Sequence, residues 1–185
     1  MIYDGYAWKH ELRLKMRQIA KFNTKSYFDK SFDLSYHKIE SAILFSAFII
    51  RMLIESQKLS DDADKYTMNV KEYLPKISIN RLHHWCEEDE YDWGNFASIV
   101  VPGKSICNQL IHSYVLRLIF QEDAESIGFF VSSDYDRNKK LIEVSIEDWM
   151  KYVDVIISDN VVAVETQFDK KKDDYIVIKK VRGNW

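Results

Sequence analysis

The sequence predicts an α+β fold, in which a helical bundle is followed by a small antiparallel β-sheet with one helix. Its 185 residues are 46% hydrophobic and 14% aromatic, with five Gly and two Pro, which is typical of a filled core with short connections. Residues 42–50 are apolar on every side, which predicts a central buried helix. After about residue 122 the apolar residues alternate, as they do in strands. We therefore predict a helical domain over residues 1–122 and a smaller unit over residues 127–185 packed on it.

The N-terminal segment, residues 1–25, has the pattern of an amphipathic helix with two stripes. The apolar stripe consists of Trp8, Leu12, Met16 and Ala20. The basic stripe beside it consists of Lys9, Arg13, Arg17, Lys21 and Lys25. Cations at this spacing form a ridge that can follow a phosphate backbone or meet an acidic partner, and a solvated face is the alternative. The first four of these cations are the candidate nucleic-acid-binding residues.

The middle of the first domain is predicted to contain a loop and two further helices. Residues 23–35 form an aromatic-rich loop that folds back onto the core, and residues 36–58 form the central helix. Arg51 and Glu55 lie one turn apart on that helix, so they can form an ion pair, or Arg51 can bind an anion. A weaker helix covers residues 62–73 and ends at Pro75, which is followed by an extended or irregular stretch over residues 77–80.

Residues 81–94 bring together histidines, a cysteine and acidic side chains. His83, His84 and Cys86 are metal-ligand types, but zinc sites draw paired ligands from two places in the chain, and no second pair is evident. We therefore predict no metal and no cofactor. The acidic residues 87–92 are interpreted as a solvated loop, or as a surface that meets the basic ridge of a second copy in a dimer.

The segment 104–119 is predicted to be one buried helix that carries a few polar groups. Its apolar arc consists of Cys107, Ile111, Tyr114, Val115 and Leu118. Lys104, Asn108 and His112 follow one another at every fourth position along the edge of that arc, with Asn108 half-buried. Buried amide and imidazole groups need partners, so this ridge is either a polar clamp between helices or a site.

The C-terminal unit is predicted to follow a connector over residues 121–126. A hairpin joins residues 127–131 to 141–144, and a helix begins at Ser145, where Asp148 completes a capping pattern. A second hairpin joins residues 161–168 to 175–181 across a lysine-rich turn. That turn is interpreted mainly as a solubilising feature.

Charge and cysteine content narrow the classes of function. The net charge of −3 attracts no nucleic acid as a whole, so such binding must use a local patch. Two cysteines with no signal peptide indicate a reducing, cytoplasmic environment. The most apolar run, residues 42–54, is too short to cross a bilayer and contains Arg51.

The helical first part of the chain, together with Lys-Ser-Ile-Cys-Asn-Gln-Leu-Ile-His at residues 104–112, resembles the HEPN superfamily. Many members end their core with a helix in which a charged residue and apolar residues precede Asn and Ile-His. The resemblance implies a helical fold and a homodimer and, in the ribonuclease members, metal-independent cleavage of RNA between two such helices. Those members carry an Arg four to six residues before the His, and this chain has none there.

The ribonuclease chemistry would require a proton-transferring imidazole and a cation. His112 can exchange a proton with the ribose hydroxyl or the leaving oxygen, and Arg51 or Lys104 can stabilise the charge on the phosphate. Asn108 would orient the His or bind a phosphate oxygen. These four residues are the catalytic candidates.

Two functions follow from the sequence. The first is a HEPN-like RNA-acting protein that binds RNA or is a weak endoribonuclease, related to toxins or phage defence. The alternative is a non-enzymatic protein–protein interaction module in which Asn108 and His112 lock the helices. We predict a homodimer in both cases.

Overall fold

The computed structural model describes residues 4–121 and 125–183, which form six helices and seven strands. The helices are α1 Gly5–Phe22, α2 Lys25–Lys30, α3 Phe32–Glu55, α4 Asp61–Asp64, α5 Gly103–Ile111 and α6 Ile146–Ser158. The strands are β1 Thr67–Tyr73, β2 Ala97–Pro102, β3 Ser113–Phe120, β4 Ser126–Ser133, β5 Leu141–Ser145, β6 Val161–Asp169 and β7 Asp174–Arg182. The predicted α+β class is confirmed. None of the helices in the described ranges is long and apolar enough to cross a membrane.

Five strands form one antiparallel sheet in the order β2-β1-β5-β4-β3. The helices cover one face of this sheet, and the segment between β1 and β2 covers part of the other. Strands β3 and β4 pair along their length although they lie on either side of the predicted domain boundary. The first hairpin of residues 127–185, β4 and β5, therefore completes the sheet begun by β1 and β2. The predicted connector at 121–126 lies partly outside the described residues.

The predicted helix over residues 104–119 is wrong in its second half. Helix α5 ends at Ile111, His112 caps it, and β3 follows from Ser113. Leu116 and Leu118 pack towards the helices, whereas Val115 packs on the opposite face of the sheet. A strand that is buried on both faces has a nearly continuous apolar run, which periodicity cannot distinguish from a buried helix.

Two other predicted segments are also corrected. Residues 62–73 are not one helix, because the short α4 is followed directly by β1. Residues 23–35 are not a loop, because they contain α2 and the first turn of α3. The predicted return of their aromatic side chains to the core is confirmed, since Phe28 is buried and packs edge-on against Phe120 with ring centroids 5.3 Å apart.

Helix α3 is the predicted central helix, with ten buried residues along its 24-residue length. It ends in two overlapping hydrogen bonds, from the Lys58 N–H to the Leu53 carbonyl at 2.9 Å and from the Gln57 N–H to the Ile54 carbonyl at 3.0 Å. This C-terminal motif requires a left-handed residue after the cap, and Gln57 supplies it with a φ of 60° where Gly is usual.

The second predicted hairpin is confirmed as a separate two-stranded sheet, β6–β7, called here the ribbon (residues 161–182). It is anchored at its base, where the Lys180 ammonium lies 3.4 Å from the Asp64 carboxylate and the Arg182 guanidinium lies 3.9 Å from that of Asp159. Most of its side chains are exposed. The capping pattern at the start of α6 is also confirmed, since the Ser145 hydroxyl accepts from the Asp148 N–H at 3.0 Å.

Candidate functional site

The ridge on α5 is exposed along most of its length. Lys104 is half-buried in the first turn, whereas Asn108 and His112 are exposed. The expectation that Asn108 is half-buried is therefore wrong. The polar clamp belongs instead to the next residue, Gln109, which is buried, donates to the Asp136 carboxylate at 2.6 Å and accepts from the Ser133 N–H at 2.7 Å.

The structure places the four catalytic candidates on α3 and α5. Arg51 forms the predicted ion pair with Glu55. Burial raises the pKa of the nearby Cys107 thiol to about 12, and the Arg51 charge opposes part of that rise. Lys104 and His112 are separated by about 12 Å along α5, at 1.5 Å per residue. They therefore lie at opposite ends of this helix.

Beside His112, an apolar groove of about 520 Å³ separates α3 from the end of α5; we call it the α3 groove. Leu44, Leu110 and Ile111 contribute to its walls. The Phe45 and Phe48 side chains line it while remaining 56% and 50% exposed. Large aromatic side chains exposed on a central helix mark an interaction surface more often than an isolated exposed residue does.

The predicted basic ridge on α1 separates into a buried cation and exposed ones. Lys9 is buried, and its ammonium donates to the Asp159 carbonyl at 2.5 Å. Burial lowers the pKa of Lys9, and the Asp159 carboxylate opposes that effect. One turn further on, Arg13 is half-buried, and both Arg17 and Lys21 are exposed. Lys9 is therefore held within the fold, and only the other three cations can meet a ligand.

Asp159 explains why Lys9 is inside. Its carboxylate is fully buried and accepts from the Ser60 N–H at 2.8 Å and the Ser60 hydroxyl at 2.5 Å. The Lys9 ammonium lies 4.0 Å from the same carboxylate, and the Arg182 guanidinium lies 3.9 Å from it. This buried carboxylate joins α1, the start of α4, the end of α6 and the ribbon, and no periodic pattern in the sequence predicts it.

A cleft of about 600 Å³ lies between α1, the C-terminal ends of α3 and α6, and the base of the ribbon; we call it the basic cleft. Tyr6 and Arg13 line it on the α1 side, and Val161 and Val164 line it on the ribbon side. Lys58 completes its cationic wall. Arg13, Arg17 and Lys58 form no ion pair with any residue in the described part of the chain, so their charges are available to a ligand.

Charge is segregated around this cleft. Helix α1 carries five basic side chains and one acidic one, and the ribbon carries six basic and four acidic ones. Together they have a formal charge of +6 in a chain whose net charge is −3. The lysine-rich turn of the ribbon is exposed, but its three lysines are balanced by Asp169, Asp173 and Asp174, so its formal charge is zero.

The segment between β1 and β2 is built around a buried carboxylate. Glu90 is 1% exposed and accepts from the backbone N–H groups of Cys86 at 2.7 Å and Glu87 at 3.2 Å. Residues 87–92, which were predicted to form a solvated acidic loop, therefore include one buried carboxylate. Burial, together with Glu90, raises the pKa of Cys86 to about 12, so its thiol is a poor nucleophile at neutral pH. Within residues 4–121 and 125–183, no group of three His, Cys, Asp or Glu side chains is placed to hold a metal ion.

In comparisons with protein-family models, curated proteins and solved structures, nothing matches this chain.

Proposed function

We propose that the protein binds RNA in the basic cleft. The observation that carries this proposal is that Arg13 and Lys58 line the cleft and belong to no ion pair within the described residues. Arg13 and Arg17 lie one turn apart with no acidic partner in the described residues, which is the arrangement that phosphate contacts need. Lys9 belongs to the fold and is left out of the interface.

Fluorescence anisotropy with a labelled RNA, titrated at several salt concentrations, tests this proposal. Each phosphate contact with a single strand contributes about −0.7 to the slope of log K against log salt. The variant with Arg13→Ala and Arg17→Ala should bind more weakly and show a slope shallower by about 1.4. Lys76→Ala removes an exposed cation from the segment between β1 and β2 and is the matched control. Equal losses in both variants, or no binding at low salt, would contradict the proposal.

Catalysis remains a separate proposal, as do the HEPN relationship and a toxin or phage-defence role. The exposed His112 supports it only as an imidazole that is free to meet a substrate. Cleavage of RNA in the presence of a chelator, lost in His112→Ala without a change in unfolding, would support it. Both cysteines are free thiols, which supports the proposed cytoplasmic location.

The exposed Phe45 and Phe48 favour a second candidate function, an interaction module that forms a homodimer through the α3 groove. Phe45 and Phe48 are exposed beside the groove, and the half-buried Leu44 also lines it. A two-fold contact between copies would bring these apolar side chains against the same face of the second α3.

Sedimentation velocity tests the homodimer. Phe45→Glu and Phe48→Glu should each produce a monomer, because each variant places a charge in the apolar contact. A wild-type protein that sediments as a monomer at every concentration would rule this candidate out.

A further inference from the structure

We propose that the apolar face of the ribbon is a platform for unpaired bases, so that the ligand of the basic cleft is single-stranded. This inference rests on the proposed RNA binding and adds the class of RNA and the residues that recognise it. In this arrangement, the phosphates of the RNA contact the cations of α1 while its bases turn towards the ribbon.

The strand register places one set of apolar side chains on a single face of the ribbon. Directly paired residues in an antiparallel ladder share a face, and successive pairs alternate between faces. The register shifts between Glu165 and Thr166, where β7 has one extra residue, Ile178. Strand β6 has no insertion there, so Thr166 and Phe168, with their partners Val177 and Tyr175, lie on the same face as Val164. The opposite face carries the polar pair Glu165–Lys179 and the mixed pair Gln167–Ile176.

The apolar face is the one directed towards the basic cleft. Val164 lines the cleft together with Arg13. Lys180, which pairs with Val164, lies on the same face and reaches Asp64 in the body of the protein. From Val164 the face continues outward for about 13 Å to Phe168, at 3.3 Å per residue. A strand of RNA that leaves the cleft would run along it.

Within residues 4–121 and 125–183, the outer part of this face is left exposed. Phe168 is 44% exposed and Tyr175 is 67% exposed, and the two rings meet edge to face with centroids 5.3 Å apart. An isolated two-stranded hairpin is marginally stable in water unless its apolar face packs on something. Base faces match this surface, since stacking on aromatic rings tolerates any sequence and requires only that the bases be unpaired.

The charge beside the platform favours a polyanion over an apolar protein segment. Arg13 and Lys58 line the cleft from which the platform extends, and neither belongs to an ion pair within the described residues. The turn next to Phe168 and Tyr175 carries as many lysines as aspartates. A base-paired duplex would meet the cations equally well but keeps its base faces inside the helix. The platform therefore distinguishes single strands from duplexes, whereas the cations do not.

Anisotropy titrations with a 12-nucleotide single strand and a duplex of the same length test the inference. The full-length wild-type protein should favour the single strand. Phe168→Ala and Tyr175→Ala should each weaken single-strand binding by about 5- to 150-fold, the range expected for one lost stack, and should leave duplex binding unchanged. Gln167→Ala and Ile176→Ala alter the opposite face of the same strands and should have little effect. Circular dichroism checks that each variant retains its fold.

The outcomes separate this inference from the proposed function. Binding of both RNAs with equal affinity, unaffected by the aromatic variants, would overturn the platform and leave RNA binding in place. Absence of binding to either RNA would overturn both. If the aromatic variants instead convert a wild-type dimer to a monomer in the absence of RNA, the face packs on a second copy of the chain, and the platform is again overturned.

Discussion

The two C-terminal hairpins have the same topology and opposite surroundings. In the first, β4 is paired on both edges, and six of its eight residues are buried. In the ribbon, β6 pairs only with β7, and seven of its nine residues are exposed. Both hairpins have apolar residues on at least one face, so local sequence alone does not decide burial. The number of neighbouring elements decides it, and a strand with few neighbours leaves its apolar face exposed.

The same contrast applies to the cations. Lys9 and Arg13 lie one turn apart on α1, but Lys9 is held by Asp159 inside the fold while Arg13 lines the basic cleft. Lys180 and Lys179 are neighbours in β7, but Lys180 is buried against Asp64 and Lys179 is exposed. A row of like charges in the sequence therefore contains both anchored and free cations, and the anchored ones are those that reach a carboxylate in the body of the protein.

Hydrogen exchange should show the largest difference between the two hairpins. Amides of β4 should open only with global unfolding, whereas those in the outer half of the ribbon should open locally, so their protection should be lower by at least about 100-fold. Mass spectrometry of peptides covering residues 126–133 and 161–169 measures this. Equal protection would show that the ribbon belongs to the same cooperative unit as the sheet.

Asp159→Ala should disconnect the ribbon from the body at the greatest cost in stability. The change leaves the Ser60 hydroxyl without its acceptor and the Lys9 and Arg182 charges without a counter-ion, and breaking a buried ion pair in this way costs about 3–5 kcal/mol. Urea unfolding followed by far-UV circular dichroism measures the loss. Asp154→Ala, at an exposed position on α6, is the control and should change stability by less than about 0.5 kcal/mol. Similar values for both would show that the buried network contributes little.

Gly103→Ala should have the next largest effect, because a Cβ there would lie 2.4 Å from the Tyr152 ring. Tyr152 is fully buried and cannot move aside without disturbing the core, so overpacking should cost about 1–3 kcal/mol. A Cβ at Gly94 would meet nothing within 4 Å, and Gly94→Ala is the matched control. Thermal unfolding distinguishes them, and a neutral Gly103→Ala would mean that α5 shifts freely against α6.

How much of this the sequence predicts depends on burial. The central helix, the capped start of α6 and both C-terminal hairpins carry local signals, and all are confirmed. Strand β3 was misassigned because burial on both faces removes the alternation of period two that identifies a strand. Strand β1 was missed because its pairing with β5 joins residues about 70 positions apart, which no local pattern reports.

In the candidate sites, too, local patterns are predictable from the sequence and tertiary contacts are not. The basic ridge on α1 and the lysine-rich turn are visible in the sequence, whereas the cleft between them depends on tertiary packing. The helical spacing of Lys104, Asn108 and His112 is correct as far as the end of α5. The buried polar residue that forms the clamp, however, is Gln109 and not Asn108. A one-residue error in the buried position of a helix turns the side chain by about 100°.

The smallest expected effect concerns two residues with left-handed backbone, one at the end of α3 and one in the ribbon. Gln57 at the end of α3 and Asp173 at the tip of the ribbon have φ values of 60° and 51°, which L-residues adopt at a cost that Gly avoids. Gln57→Gly should raise the free energy of unfolding by about 0.5–1 kcal/mol, because the relieved strain exceeds the extra entropy that Gly gains in the unfolded chain. Asp173→Gly relieves similar strain, but in a segment that opens locally, so it should leave the global transition unchanged while slowing exchange in the ribbon. Denaturant unfolding and hydrogen exchange on both variants measure the two effects, and a global stabilisation by Asp173→Gly would show that the ribbon unfolds together with the sheet.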